Sequence, residues 1–140
     1  MTVGYSGTPL PRKLGIAPGS IVSTIGPPAG LEIDLGMLLE PLPDEVRLTT
    51  GTRADADVTL LFVTQRSVLE ATIPALGEAI FPDRVMWVCW PKKASKVVTD
   101  ITEDTIREVV LPLGLVDVKV CAVNDVWSGL KVVWRKDRRA

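Results

Sequence analysis

The sequence of 140 residues contains no histidine and only two cysteines. Histidine is the commonest general base near neutral pH and the commonest metal ligand, so its absence excludes Ser–His and Cys–His catalysis. Cys89 and Cys121 are too few for a structural zinc site, which needs four ligands, and we expect no metal. Each lies in an apolar run, which favours reduced, buried cysteines that act as small hydrophobic residues. A disulfide between them would need an oxidising compartment, which nothing in the sequence indicates.

Long apolar runs and a large excess of charge are also missing. No run approaches the roughly 18–20 apolar residues of a membrane span. The first five residues lack the basic and apolar regions of a signal peptide. With 17 acidic and 16 basic residues the net charge is -1, whereas a dedicated nucleic-acid-binding protein usually has a strong basic excess. We therefore expect a cytoplasmic protein with neither a membrane nor a nucleic acid as its partner.

Length and composition predict one globular domain over residues 1–140. A chain of this size buries about two-thirds of its unfolded surface on folding, and an apolar content of 46% excludes disorder. A glycine- and proline-rich arm at 1–19 precedes the core of the domain. A basic tail at 135–140 follows it, and we interpret the tail as a solvated end.

Apolar and β-branched runs predict six strands, at 20–25, 46–49, 58–63, 85–90, 116–123 and 130–134. Helical spacing of apolar residues predicts helices over 31–42, over 69–80 and in a segment that ends at residue 111. Ser67 and Glu70 form a capping-box pattern for the second helix, which Pro74 would kink or delay. Asp100 or Thr102 would cap the third helix.

This order of elements predicts an α/β fold with three layers. The early strands, joined by helical crossovers, form a mostly parallel, Rossmann-like sheet with helices on both faces. The last two strands are close in sequence, which favours an antiparallel pair at the C-terminal end.

The candidate binding site lies where a parallel strand ends. Lys92 and Lys93, with Lys96 nearby, follow the strand at 85–90, and open α/β sheets bind ligands at the carboxyl ends of their strands. These lysines could hold a phosphate or carboxylate, and the helix start near Thr102 could share the anion. The alternative is a solvated loop. Trp127 could border the site or form an aromatic lid over the core.

Other polar residues have simpler structural interpretations. Asp100 and Glu103 could form a carboxylate pair, but helix capping accounts for both. Asp55 and Asp57 precede a buried strand, where a turn role is more usual than a metal site. Ser128 has no histidine to activate it as a nucleophile.

The segment from 61 to 90, with the two closing strands, resembles the second half of a class I methyltransferase domain, although the first half is much abbreviated. The whole chain more closely resembles a family of small bacterial domains of unknown function that is common in actinobacteria. The matching pieces are YSGTPL (5–10), LGI (14–16), PG (18–19), WPKK (90–93), TDITE (99–103) and WSGL (127–130). That family implies no established activity.

The methyltransferase resemblance would imply S-adenosylmethionine, with Gly26 and Gly30 in the turn that holds it. This sequence departs from that pattern twice. Two prolines in the turn remove backbone N–H donors, and Thr49-Thr50 stand where an acidic residue would hold the ribose. We therefore expect no cofactor, except under a methyltransferase alternative.

The resulting expectation is a non-catalytic binding module that holds an anionic small molecule or a protein. Its ligand-binding residues would be Lys92, Lys93, Thr102 and Trp127, with Tyr5, Ser6 and Thr8 in a loop that folds over them. A minimal S-adenosylmethionine-dependent methyltransferase is the first alternative. The second is an interaction protein that forms a homo-oligomer through an edge strand or through exposed tryptophans at 90, 127 and 134.

Overall fold

A computed structural model describes residues 9–27 and 42–139 of the chain. Its six strands are β1 (Ile21–Ile25), β2 (Arg47–Thr50), β3 (Val58–Phe62), β4 (Val85–Pro91), β5 (Leu115–Ala122) and β6 (Trp127–Trp134). They form one sheet in the order β2-β1-β3-β4-β6-β5. The first four strands are parallel, and β6 is antiparallel to both β4 and β5. The mostly parallel α/β sheet with an antiparallel C-terminal pair is therefore confirmed.

Three α-helices accompany the sheet in the described residues: α1 (Leu10–Lys13), α2 (Arg66–Ile80) and α3 (Glu103–Val110). The helix predicted at 31–42 lies almost wholly outside the described residues. None of the described helices is long and apolar enough to cross a lipid bilayer. The described part of the chain thus has few helices around its sheet.

Both faces of the sheet are covered by apolar groups, as the uninterrupted apolar run of β3 predicts. All five residues of β3 are buried. On the face covered by α2 and α3, the helical face, the core includes Leu61, Leu69, Ile73, Leu76, Val88, Ile106 and Leu130. On the opposite face, covered by α1 and the residues after it and here called the arm face, it includes Leu10, Leu14, Val22, Leu60, Trp87, Cys89 and Trp127.

A buried hydrogen bond fixes the arm to the sheet. The indole N–H of Trp87 donates to the backbone carbonyl of Leu14 at 3.1 Å. Trp90, three residues further along β4, contacts the helical-face core instead. The two tryptophans therefore point to opposite faces of the sheet, which follows from the two-residue period of a strand.

The start of α2 differs from the sequence prediction. The helix begins at Arg66, and the carboxylate of Asp100 accepts a hydrogen bond from the Arg66 backbone N–H at 2.7 Å. The Ser67 capping box is therefore wrong, because a carboxylate from a distant loop takes the capping role. Pro74 neither delays nor ends the helix. It lies on the exposed side, where water can bond the backbone carbonyl that proline leaves without a donor.

The start of β6 also differs, because Trp127, Ser128 and Gly129 belong to the strand rather than to a turn. The turn lies just before them, where the side-chain carbonyl of Asn124 accepts backbone N–H bonds from residues 126 and 127 at 2.9 and 2.7 Å. Gly129 packs closely inside the strand, since a Cβ there would lie 3.3 Å from the ring of Trp87.

Thr59 generates a stability prediction. It is fully buried in β3, and in the described part of the chain its hydroxyl has no hydrogen-bond partner. Thr59→Val replaces that hydroxyl with a methyl group, and we expect the free energy of unfolding, measured by urea denaturation, to rise by about 1 kcal/mol. Thr59→Ser keeps the hydroxyl and loses the methyl, so it should unfold more easily than wild type. A less stable Thr59→Val would contradict this account.

Candidate functional site

The candidate site is the carboxyl edge of the parallel strands. The chain places β2 on one side of β1 and β3 on the other, so the direction of strand addition reverses between β1 and β3. In open α/β sheets such a switch point opens a crevice at the carboxyl ends of the strands, and ligands bind there. The residues that follow the strands at this edge include Gly26 after β1, Gly51 after β2, Thr64 after β3 and Lys92 after β4.

The exit from β1 is tight. Gly26 has φ of 68°, and a Cβ on it would lie 3.0 Å from the backbone carbonyl oxygen of Phe62 at the end of β3. The next residue, Pro27, has no backbone N–H to offer a ligand. Gly30, the other glycine of this turn, lies outside the described residues.

The exit from β2 is bonded to β1. The hydroxyl of Ser23 donates to the carbonyl of Gly51, and the Gly51 N–H donates to the carbonyl of Thr24 at 2.9 Å. The first charged side chain after the strand is Arg53, which forms a salt bridge with Asp55 at 2.8 Å. A carboxylate that could hold a ribose is therefore not found at the end of β2.

The residues after β1 and β2 are the ones that would hold S-adenosylmethionine, the cofactor that the fold resemblance implies. A dinucleotide- or nucleoside-type site needs backbone N–H donors after the first strand and a carboxylate after the second. Pro27 supplies no donor, and Arg53 with its paired Asp55 supplies no free acid. The described donor set does not fit this cofactor.

The exit from β3 is occupied by the protein itself. The carbonyl of Thr64 accepts hydrogen bonds from the Thr99 hydroxyl at 2.7 Å and from the Asp100 N–H at 3.3 Å. The Asp100 carboxylate then caps Arg66 at the start of α2. Asp100 thus caps the preceding helix rather than the following one. Glu103 forms a salt bridge with Arg107. Asp100 and Glu103, the candidate carboxylate pair, therefore both have structural roles.

The exit from β4 carries the predicted lysines. Lys92 is half-buried, Lys93 and Lys96 are exposed, and within the described ranges none of the three forms an ion pair. Asp125, in the adjoining turn, makes no ion pair with them. The loop is ordered by Ser95, whose hydroxyl donates to the Lys92 carbonyl at 2.6 Å and accepts from the N–H of residue 97 at 3.3 Å. We call residues 92–96 the lysine loop.

Two further predicted ligand residues lie in structural surroundings. Thr102 caps α3, its hydroxyl accepting from the Thr105 N–H at 3.3 Å, and Glu103 and Asp104 in the first turn disfavour an anion there. Trp127 is only 5% exposed, and its ring meets Phe62 edge-on with centroids 5.3 Å apart. We therefore leave both out of the site proposed below. Tyr5, Ser6 and Thr8 lie outside the described residues.

The exposed tryptophan surface that would favour an interface is not observed. Trp90 and Trp127 are buried. Trp134 is half-buried, donates its indole N–H to the Gly77 carbonyl at 2.8 Å, and packs edge-on against Phe81. Its ring therefore joins β6 to α2.

The thiols and the remaining acids also have structural surroundings. Cys89 and Cys121 are unbonded cysteines that pair with Gly129 from either side on the arm face. Burial raises the pKa of both thiols, although Cys121 is only half-buried. Asp57, at the amino edge, accepts a hydrogen bond from the Ile21 N–H at 2.9 Å. Cys89 is buried and unbonded, as the sequence predicts, whereas Asp57 bonds the backbone of β1 rather than its own turn.

The sequence matches no protein-family model and no curated protein. The fold is similar to that of a SAM-dependent methyltransferase from Aquifex aeolicus, with a TM-score of 0.62 and 12% identity over 86% of this chain and 85% of that chain. For the fibrillarin pre-rRNA processing protein of Methanococcus jannaschii the TM-score is 0.53, with 13% identity over 85% of this chain and 68% of that one. For a protein in the NADB-Rossmann superfamily from Streptococcus agalactiae the TM-score is 0.53, with 12% identity over 96% of this chain and 70% of that one. Identities this low show the fold alone, a Rossmann-like fold similar to that of SAM-dependent methyltransferases.

The tight exit at Gly26 generates the second stability prediction. Gly26→Ala would place a left-handed alanine against the Phe62 carbonyl, whereas Gly51→Ala, also at positive φ, meets nothing within 4 Å. The left-handed conformation costs about 1–2 kcal/mol in either variant, so urea denaturation should show a larger loss for Gly26→Ala. Equal losses would contradict close packing between β1 and β3.

Proposed function

We propose that this chain is a non-catalytic binding domain on a methyltransferase-like fold, which holds an anionic small molecule at its carboxyl edge. The observation that carries the proposal is the lysine loop. Lys92 and Lys93 leave a parallel strand at the ligand-binding edge of the sheet without an acidic partner in the described residues. Lysines in that position suit a phosphate or carboxylate group.

The surroundings of the lysines favour binding over solvation alone. The backbone N–H of Lys92 donates to the Val126 carbonyl at 2.7 Å, and Ser95 closes the loop from within. The backbone that carries the ammonium groups is thus fixed before a ligand arrives, which lowers the entropy cost of binding.

The described polar groups at this edge are better suited to holding a ligand than to moving protons. The hydroxyls of Ser23 and Thr99 each donate to a backbone carbonyl, and the Asp100 carboxylate caps a helix. A lysine ammonium group donates hydrogen bonds and accepts none, which suits it to an anion. We therefore assign the edge to recognition.

Replacement of the two lysines tests the proposal. Each charge-assisted hydrogen bond contributes about 1.5–3 kcal/mol, so Lys92→Ala with Lys93→Ala should weaken binding more than tenfold. The measurement is titration calorimetry with pyrophosphate, a nucleoside diphosphate and citrate as probes. Arg47→Ala with Arg84→Ala is the matched control, since it removes two positive charges at the amino edge. Wild-type affinity in the lysine variant, or no binding of any probe to the wild type, would refute the proposal.

The second candidate function is a minimal methyltransferase, favoured by the similarity to the Aquifex aeolicus enzyme. It requires S-adenosylmethionine to bind despite Pro27 and the missing acid after β2. Equilibrium dialysis with labelled S-adenosylmethionine and S-adenosylhomocysteine separates the two candidates. We expect no retention of either compound at millimolar concentration. Retention that Gly26→Val abolishes in a still-folded protein would establish the alternative instead.

A further inference from the structure

Two lysines face each other across β5 and β6, away from the lysine loop. Lys119 pairs directly with Lys131 in the antiparallel register. Directly opposed residues point to the same face, with Cβ atoms about 4.5–5.5 Å apart, and like charges in such a pair destabilise the sheet. Leu130 and Val132 project into the helical-face core. Lys131, between them, therefore projects to the arm face together with Lys119.

Nothing on that face of the described sheet neutralises the pair. The residues of β4, β5 and β6 that project there are Val85, Trp87, Cys89, Pro91, Val116, Lys119, Cys121, Trp127, Gly129, Lys131 and Val133. None of them is acidic. The covering segment 9–27 contains Arg12 and Lys13 but no aspartate or glutamate. Residues 42–46 also cover this face and contain Asp44 and Glu45, but they precede β2, at the opposite edge of the sheet from β5. Neither Lys119 nor Lys131 forms an ion pair or side-chain hydrogen bond within the part of the chain that the structure describes.

The acid nearest to Lys119 along the strand is turned away from it. Asp117 pairs with Val132, and its carboxylate accepts a hydrogen bond from Arg107 of α3, on the helical face, at 3.0 Å. The register then shifts between Asp117 and Lys119. This irregularity places an acid on one face and a lysine on the other, although they are only two residues apart.

The surroundings strengthen the repulsion between the two ammonium groups. Lys131 is half-buried, and Val116 and Val133 beside it on the same face are half-buried as well. Desolvation and the charge of Lys119 both lower the pKa of Lys131. A lysine at a sheet edge commonly prevents strand pairing between molecules. That role explains Lys119 on the edge strand β5, but not Lys131 on the inner strand β6.

We propose that Lys119 and Lys131 form a second anion site, which takes a phosphate group on the arm face of the sheet. A phosphate dianion can accept hydrogen bonds from both ammonium groups and neutralise both charges, whereas a single carboxylate neutralises one. The half-buried valines beside the pair lower the local dielectric constant, which strengthens the attraction between a phosphate and the two ammonium groups. The site does not depend on the lysine loop, because it lies on the sheet face rather than on the carboxyl edge.

The test is thermal unfolding of the full chain near neutral pH, with sodium phosphate, a nucleoside 5′-monophosphate or sodium chloride at matched ionic strength. Phosphate should raise the melting temperature of the wild type by a few degrees more than chloride. Lys119→Gln and Lys131→Gln should each reduce that difference, and each should abolish it in a chain that also carries Lys92→Ala and Lys93→Ala. In chloride alone Lys119→Gln should melt above the wild type, because the repulsion is gone. A lysine pair that binds no phosphate would show the gain in chloride without the phosphate effect, so the phosphate effect decides between the two roles.

Controls keep this site separate from the carboxyl edge. Arg47→Gln and the Lys92→Ala, Lys93→Ala double variant should both retain the phosphate effect. A response to inorganic phosphate alone identifies the free ion as the ligand, and a stronger response to the monophosphate identifies a phosphorylated metabolite. An equal phosphate shift in wild type and Lys119→Gln, or a shift lost only in the lysine-loop variant, would overturn the proposal.

Discussion

The carboxylate of Asp100 holds the carboxyl edge of the sheet together. It caps the start of α2 at Arg66, while the Asp100 N–H and the Thr99 hydroxyl both donate to Thr64 at the end of β3. The loop after β4 is thereby tied to the point where β3 becomes α2. Helix N-termini commonly bind anions in α/β proteins, but here a carboxylate of the chain already occupies that position. Among the described residues, the positive charge offered to a ligand at this edge therefore comes from the lysine loop. The Asp100 contacts hold the chain four residues after that loop.

Charge is distributed unevenly between the two faces of the sheet. On the helical side Arg107 contacts Glu103, Asp104 and Asp117, and Arg66 contacts Glu108 at 2.6 Å. Exposed pairs of this kind each contribute little to stability, but they leave that side locally balanced. On the arm face, the described residues of β4, β5 and β6 include lysines and no acidic residue. The net charge of the whole chain, -1, therefore does not show how unevenly charge is distributed between the two faces of the sheet.

Sequence patterns predicted the elements well because burial dominates them. The run that forms β3 had to be buried on both faces, and the apolar spacing from Leu69 to Ile80 had to form a helix against it. Patterns failed where a distant contact decides the outcome. The Ser67 pattern was outweighed by Asp100, 34 residues away from the N–H that it caps. Gly129 resembles a turn residue, but it lies inside a strand, where a Cβ would crowd the ring of Trp87.

The candidate site was predictable in part for the same reason. Lys92 and Lys93 follow an evident strand, so their position at the carboxyl edge could be inferred from order alone. The opposition of Lys119 and Lys131 could not, because it depends on the register of β5 against β6 and on a local shift of that register. One inserted residue decides which face a side chain occupies. Pairs of this kind become visible only when the register is known.

Fold and site chemistry lead to different expectations for this chain. The strand order creates the crevice in which relatives of this architecture bind nucleoside-type ligands, and the similarity to known methyltransferases shows that architecture. The chemistry of the crevice depends on a few positions: Pro27 removes a donor, and the end of β2 lacks an acid. The sheet does not need a ligand-binding residue at either position for its stability, because the hydrogen bond between Ser23 and Gly51 joins β1 to the end of β2. The fold can therefore stay the same while the ligand differs. We expect the ligand at Lys92, Lys93, Lys119 and Lys131, which form no ion pair with any described residue.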